Sequence, residues 1–202
     1  MHNILIFIIF LFFTLVSHGG AYEDILIAAK NNDNAIVIDL INRGMDVNTA
    51  DATGSTLLMI AASNANQSLV EQLIRSKAAV NHLNRYGDSA LTLAALKGHL
   101  AIASTLLEAG AEINPSGWTP LHYAAYGGHH ELMALLIKAG AKVDSPAPNR
   151  QTALMLAAKA GHEESVRLLI AAGADISLQD ANGKTARELA LENGHTDTAR
   201  WF

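Results

Sequence analysis

Apolar residues in this chain come in pairs of short runs at helical spacing, the two runs of each pair parted by a few small or polar positions. In the first pair, Ile25 to Ala29 and Ala35 to Ile41 are split by Asn31, Asn32 and Asp33, and Gly44, Val47 and Asn48 follow. The second pair places Leu58, Ala61 and Ala62 before Leu69, Val70, Leu73 and Ile74. Each pair predicts two short helices. The pattern then returns on a fixed period. The alanine pairs at 28/29, 61/62, 94/95, 124/125 and 157/158 stand 33, 33, 30 and 33 residues apart, and Ala190 and Leu191 come 33 later. Such a period means a stack of like units, each burying its apolar face on its neighbours.

Local chemistry supports the helix boundaries. In the stretch Gly117 to His129, GWTPLHYAAYGGH, the Thr119 hydroxyl is placed to cap a helix and Pro120 to occupy its first position, where the missing N–H is harmless. Leu121 and the paired alanines face inward, alanine allowing adjacent helices to approach closely; Gly128 closes the helix and His129 opens the next. Gly44, Gly110, Gly140 and Gly173 stand where a second helix would end in a left-handed residue.

A Gly-x-Thr-Pro-Leu-His-x-Ala-Ala-x-x-Gly-His string on this period resembles the ankyrin repeat. The resemblance spans residues 22–202 and implies an all-α ankyrin-repeat solenoid of about six helix-turn-helix units joined by β-hairpin fingers. The units fall at about 22–50, 51–83, 84–114, 115–146, 147–179 and 180–202. It also implies an L-shaped unit, with fingers and inner helices lining a concave groove.

Several positions depart from the pattern. Glu23 and Asp24 replace the Thr-Pro start of the first unit, a more polar opening that suits a terminal repeat. Ala65 and Asn66 stand in place of Gly-His, Lys77 replaces a helix-ending glycine, and Arg150 replaces a turn glycine, with Pro146 and Pro148 nearby. From Asn48 to Gly54 and from Asn81 to Gly87 the step is six residues, but from Asn114 to Gly117 it is three, so the fourth finger is shortened. Trp201 and Phe202 align with Leu168 and Leu169 and are expected to fold onto the preceding unit.

Composition changes the picture at the N-terminus. The chain is 50% hydrophobic and 16% charged, against roughly 25% charged in ordinary soluble domains. Part of the excess is Ile4 to Val16, ILIFIIFLFFTLV. As a helix it would span about 20 Å, short of the roughly 30 Å hydrocarbon core, so it reads as a secretory signal peptide over 1–21, with Gly19 and Ala21 as cleavage-site residues and Tyr22 as the mature start. No Lys or Arg precedes it, which leaves an uncleaved membrane anchor as the alternative. The chain is expected to be exported, periplasmic or secreted, and it resembles small exported bacterial ankyrin proteins. Without cysteine, neither disulfides nor a lipid-modified cysteine is available.

Enzyme chemistry finds little foothold. His99, His129, His162 and His195 hold one equivalent position in successive units, so they lie apart; no histidines are spaced i, i+4 on a predicted helix. No nucleophile elbow, phosphate loop or dinucleotide fingerprint is present. The net charge of −5 and the absence of a basic run argue against nucleic acid. No catalysis, cofactor or metal is expected, the repeat histidines being the remote alternative for a metal-binding or hydrolytic protein. What remains is a surface. By the resemblance, the groove is lined by Arg85, Tyr86, Asp88, Leu96, Lys97, Trp118, Tyr126, Gln151 and Lys159, with Lys184 and Glu192 at the last unit. Tyr86, Leu96, Trp118 and Tyr126 are placed to form an aromatic and apolar patch; Arg85, Lys97 and Lys159 form a rim suited to acidic groups. The function implied is that of a monomeric, non-catalytic module holding another protein in the groove; the alternative is a secreted effector that binds a host protein.

Overall fold

The computed structural model describes residues 20–202. The apolar run Ile4 to Val16 and the residues up to Gly19 lie outside them. The chain forms helix pairs in strict alternation: α1 (20–30) with α2 (Asn34–Asn42), α3 (Leu57–Ser63) with α4 (Gln67–Arg75), α5 (Ala90–Lys97) with α6 (Leu100–Glu108), α7 (Pro120–Gly127) with α8 (His130–Lys138), and α9 (Ala153–Ala160) with α10 (Glu163–Ala171). The last pair is cut short: α11 (Ala186–Glu192) is followed only by a 3₁₀ turn over Thr198–Trp201. Inner helices pack in sequence, α3 on α5, α5 on α7, α7 on α9 and α9 on α11, and the outer helices α2, α4, α6, α8 and α10 form a second row.

Each inner helix begins where its cap residue dictates. Thr56, Ser89, Thr119, Thr152 and Thr185 accept the backbone N–H of Met59, Thr92, His122, Met155 and Glu188, each cap contributing about 1 kcal/mol. The alanine pairs from Ala28/Ala29 to Ala157/Ala158 are buried, which lets the inner row close up into one core with Leu58, Leu91, Leu121 and Leu154.

Outer helices end in a left-handed residue whose N–H and that of its successor return to the last turn. Gly44, Gly110, Gly140 and Gly173 do this, and so does Lys77 at φ 68°, with Lys77 N–H to Ile74 O and Ala78 N–H to Leu73 O. Arg150 and Ala65 likewise adopt φ 61° and 59° in place of glycine. Asparagines then tie unit to unit: Asn48 Oδ1 accepts from Ala79 N–H, Asn81 Oδ1 from Glu112 N–H and Asn114 Oδ1 from Lys142 N–H, at 2.7–2.8 Å.

The Gly-His element has a mechanical reason. The His129 ring lies over Gly98, His162 over Gly128 and His195 over Gly161, so close that a Cβ on those glycines would fall 2.4–2.7 Å from a ring nitrogen. Nε2 of His99, His129 and His162 is bonded to the carbonyls of Ser63, Leu96 and Tyr126, two residues before the left-handed position of the preceding unit. The second unit, which lacks the histidine, makes the same link with Asn64 Nδ2 to Lys30 O and Asn66 Nδ2 to Asn32 Oδ1.

The two ends of the stack differ. Asp24 stands where Leu57 is buried one unit later, as a terminal cap would require, yet Ile27 and Ile36 remain 55% and 48% exposed while their equivalents Ile60 and Leu69 are 8% and 0%. The polar opening of the first unit therefore covers only part of that end. At the other end Phe202 packs against the core, and Trp201 stays half-exposed with the Arg167 guanidinium 4.7 Å from its ring centroid. Trp201 thus returns to the fifth unit through a 3₁₀ turn, and Phe202 behind it packs on the core.

Candidate functional site

The fingers are turns closed by backbone bonds. Asp51 N–H donates to Ser55 O, Asn84 to Asp88, Ala147 to Gln151 and Asp180 to Lys184, all at 2.9 Å. Their arms are too short for a ladder, and the one antiparallel bridge among the described residues pairs Ala50 with Thr56. Neighbouring fingers are joined by one backbone rung each, Arg85 N–H to Thr53 O at 3.0 Å and Ala181 N–H to Asn149 O at 3.1 Å, and the second and third also by His82 Nε2 on Gly54 O. The fourth finger, Asn114 to Gly117, makes neither the turn nor a rung among the described residues. The row is therefore broken between the third and fifth fingers.

Where the finger is missing, Trp118 folds against its own inner helix. Its ring stands 5.8 Å from His122 and 5.4 Å from Tyr123, both tilted. The Tyr123 hydroxyl donates to Asp88 Oδ1 at 2.7 Å, bridging the fourth unit to the third finger. Burial, with the adjacent Asp88 carboxylate, pushes the Tyr123 phenol well above its ordinary range. His122 is buried and fully engaged: Nδ1 accepts from Thr119 N–H at 3.0 Å, so Nε2 carries the proton and donates to Ser145 O at 2.9 Å. Burial depresses its pKa, overcoming the opposite pull of the Ser145 carbonyl. His122 is thereby a neutral strut between the fourth unit and the chain entering the fifth finger.

Beside Trp118 lies a cleft of about 600 Å³, lined by Trp118, Tyr126, Gln151, Leu156, Lys159, Ala160 and Asn193. It joins four of the nine residues expected in the groove. Tyr126 is 55% exposed and supplies an aromatic wall; Leu156, only 3% exposed, forms the floor. Gln151 is buried, its Oε1 accepting from Asn149 Nδ2 at 3.0 Å, so it serves as wall more than as contact. Lys159 is exposed at the end of α9 and forms no ion pair among the described residues.

The other expected residues do not line the cleft. Arg85 and Tyr86 sit on the third finger, Tyr86 at 75% exposure. Asp88 is committed to Tyr123. Leu96 and Lys97 close α5, and the Leu96 carbonyl is taken by His129. Trp118 and Tyr126 thus meet in the cleft, whereas Tyr86 and Leu96 lie outside it. Leu156, Ala160, Asn193 and the supporting Tyr123 escape sequence reasoning. Leu156 and Tyr123 share the position just before the alanine pair, which reads as core. Lys184 and Glu192 are paired with each other.

No group of three or more His, Asp or Glu side chains able to hold a metal occurs among the described residues, and none of their helices is long and apolar enough to cross a membrane. A family model described as ankyrin repeats (three copies) matches residues 25–116, 113–180 and 145–202. Comparison with curated proteins gave no match.

Proposed function

The chain belongs to the ankyrin-repeat family, and from that membership we propose that it is a non-catalytic binding module that holds another protein on the face formed by its fingers and inner helices. The observation that carries the reading is the cleft beside Trp118. It presents an exposed aromatic ring, an apolar floor and a lysine without an ion pair among the described residues, on a scaffold of a family whose general role is protein–protein interaction. Aromatic side chains at the centre of a concave site are the usual anchors of an interface.

The proposal includes export. Ile4 to Val16 has the length and composition of a leader, followed by Ser17, His18, Gly19, Gly20 and Ala21, and the mature protein would begin at Tyr22 and work in the periplasm or beyond the cell. N-terminal sequencing of the protein from the exporting cell tests this: Tyr22 is expected, and a chain beginning at Met1 and sedimenting with membranes would replace the leader by an anchor.

Binding is tested by affinity capture from the same cells with the native protein and a Trp118→Ala/Tyr126→Ala variant of unchanged circular dichroism. One protein held by the native form and lost from the variant is the expected outcome. Equal capture by both would move the site away from this face.

A further inference from the structure

The finger row is not merely interrupted at the fourth unit; its two broken ends are chemically different. In the intact rungs, the second residue of each turn donates its N–H to the third residue of the preceding turn, as Arg85 does to Thr53 and Ala181 to Asn149. At the gap, the residue of the fifth finger that would donate is Pro148, which has no N–H. The residue of the third finger that would accept is Tyr86, whose carbonyl takes no backbone bond among the described residues. Proline at this edge removes a donor that would have no acceptor, and it also blocks the fifth finger from pairing with another chain. The third finger stays open to pairing, next to an exposed Tyr86 ring.

Cations outnumber carboxylates on this face. Asp51 and Glu192 are ion-paired with Lys30 and Lys184, while Asp88 and Asp180 keep their charge and are hydrogen-bonded to the Tyr123 hydroxyl and to the N–H groups of Asn182 and Lys184. Arg85, Lys97, Arg150 and Lys159 form no ion pair among the described residues. A chain with net charge −5 therefore carries a surplus of cations on the side of its cleft, four without an ion pair among the described residues against two such carboxylates.

Resting on the reading of this face as the binding surface, we propose that the gap left by the short fourth finger is the recognition notch, and that its occupant is an extended acidic segment of a partner protein. The segment crosses the finger row at Asn114 to Gly117 and donates a backbone N–H to the Tyr86 carbonyl. It places a bulky apolar side chain on Trp118, Tyr126 and Leu156, and sets a neighbouring carboxylate against Lys159. A full-length fourth finger would close the notch; the three-residue step in the sequence opens it.

The test uses a library of displayed random peptides selected on the full chain, with two variants as challengers. In one, Pro115 and Ser116 are replaced by the five-residue sequence of His82 to Tyr86, restoring the usual finger; the other is Lys159→Glu, an exposed change that leaves the core untouched. Peptides enriched on the native protein are expected to carry Asp or Glu within about two residues of an aromatic or large aliphatic side chain, the spacing at which one extended strand serves both contacts. Each variant should bind them about tenfold more weakly or worse. Enriched peptides that are neutral or basic, or that bind the restored-finger variant and Lys159→Glu as well as the native protein, would overturn the notch while leaving the groove reading intact. Peptides that bind the Trp118→Ala/Tyr126→Ala variant undiminished, or a selection that enriches nothing, would count against the groove itself.

Discussion

Replacing Gly128 by alanine would place a methyl group where the next unit already has a ring. Gly128 has φ 72°, and a Cβ there would fall 2.7 Å from His162 Nδ1 and 2.9 Å from its Cγ. Gly140 offers the control, with φ 100° and no atom within 4 Å of the point its Cβ would occupy. Both substitutions force a side chain into left-handed backbone, at about 1 kcal/mol, partly offset by the smaller entropy of an unfolded alanine. Gly128→Ala must in addition push the His162 ring aside, an overpacking cost of about 1–3 kcal/mol, and strain the bond of about 1 kcal/mol between Nε2 and the Tyr126 carbonyl, now 3.1 Å. With about 2–4 °C per kcal/mol for a chain of this size, Gly140→Ala should lower the melting temperature by ~2–4 °C and Gly128→Ala by ~6–20 °C. Thermal denaturation followed by circular dichroism reads both. In a His162→Ala background the excess should vanish, leaving Gly128→Ala no costlier than Gly140→Ala. Equal losses for the two single variants, or an excess that survives removal of His162, would refute the account of why glycine precedes histidine in each unit.

Lys77→Gly relieves a left-handed lysine at φ 68° and should raise the melting temperature by a few degrees, a shift of about 0.5–1 kcal/mol after the entropy of glycine is counted; an unchanged or lower value contradicts it. His122 has a folded pKa below the ordinary histidine value of 6.5, so the unfolded chain binds the proton more readily. The contribution of His122 is complete above pH 6.5 and is lost as pH falls through the depressed folded value. The stability difference between the native protein and His122→Gln should therefore narrow as the pH of urea titrations is lowered from about 7 to about 5, and a widening difference would remove His122 from its role as neutral strut. Trp201→Ala removes the ring beneath Arg167 and should lower stability by about 1 kcal/mol; no loss would mean that the terminal turn is not held by that contact.

Much of the fold is legible because each repeat carries its own punctuation. Thr119 and Pro120 start a helix, Gly128 stops it, and the spacing of Ala124 and Ala125 sets the face that packs. The same logic identifies Lys77, Ala65 and Arg150 as left-handed residues without glycine's freedom, since the chain must turn there whatever side chain it carries. Relations between units are harder to read. Nothing in the stretch around His129 says that its ring rests on Gly98, because that contact joins residues a whole repeat apart. Trp118, Tyr126, Gln151 and Lys159 are recognisable from their places in the repeat. Leu156 is not, because a leucine before the alanine pair reads as core, and at 3% exposure it is core as well as cleft floor. The same holds for Pro148: in sequence it only makes the fifth finger irregular, and its meaning comes from the missing finger opposite.

The central claim is that the finger-and-inner-helix face, and not the outer row, is the working surface. It is tested most directly by placing a photo-crosslinking amino acid at position 126 in one copy of the full chain and at position 167 in another, and irradiating the cells that make it. Tyr126 lines the cleft and Arg167 lies on the outer helix α10. The account predicts a discrete adduct with one partner protein from position 126 and none from position 167. An adduct from position 167 alone would contradict it and place the interface on the outer helices.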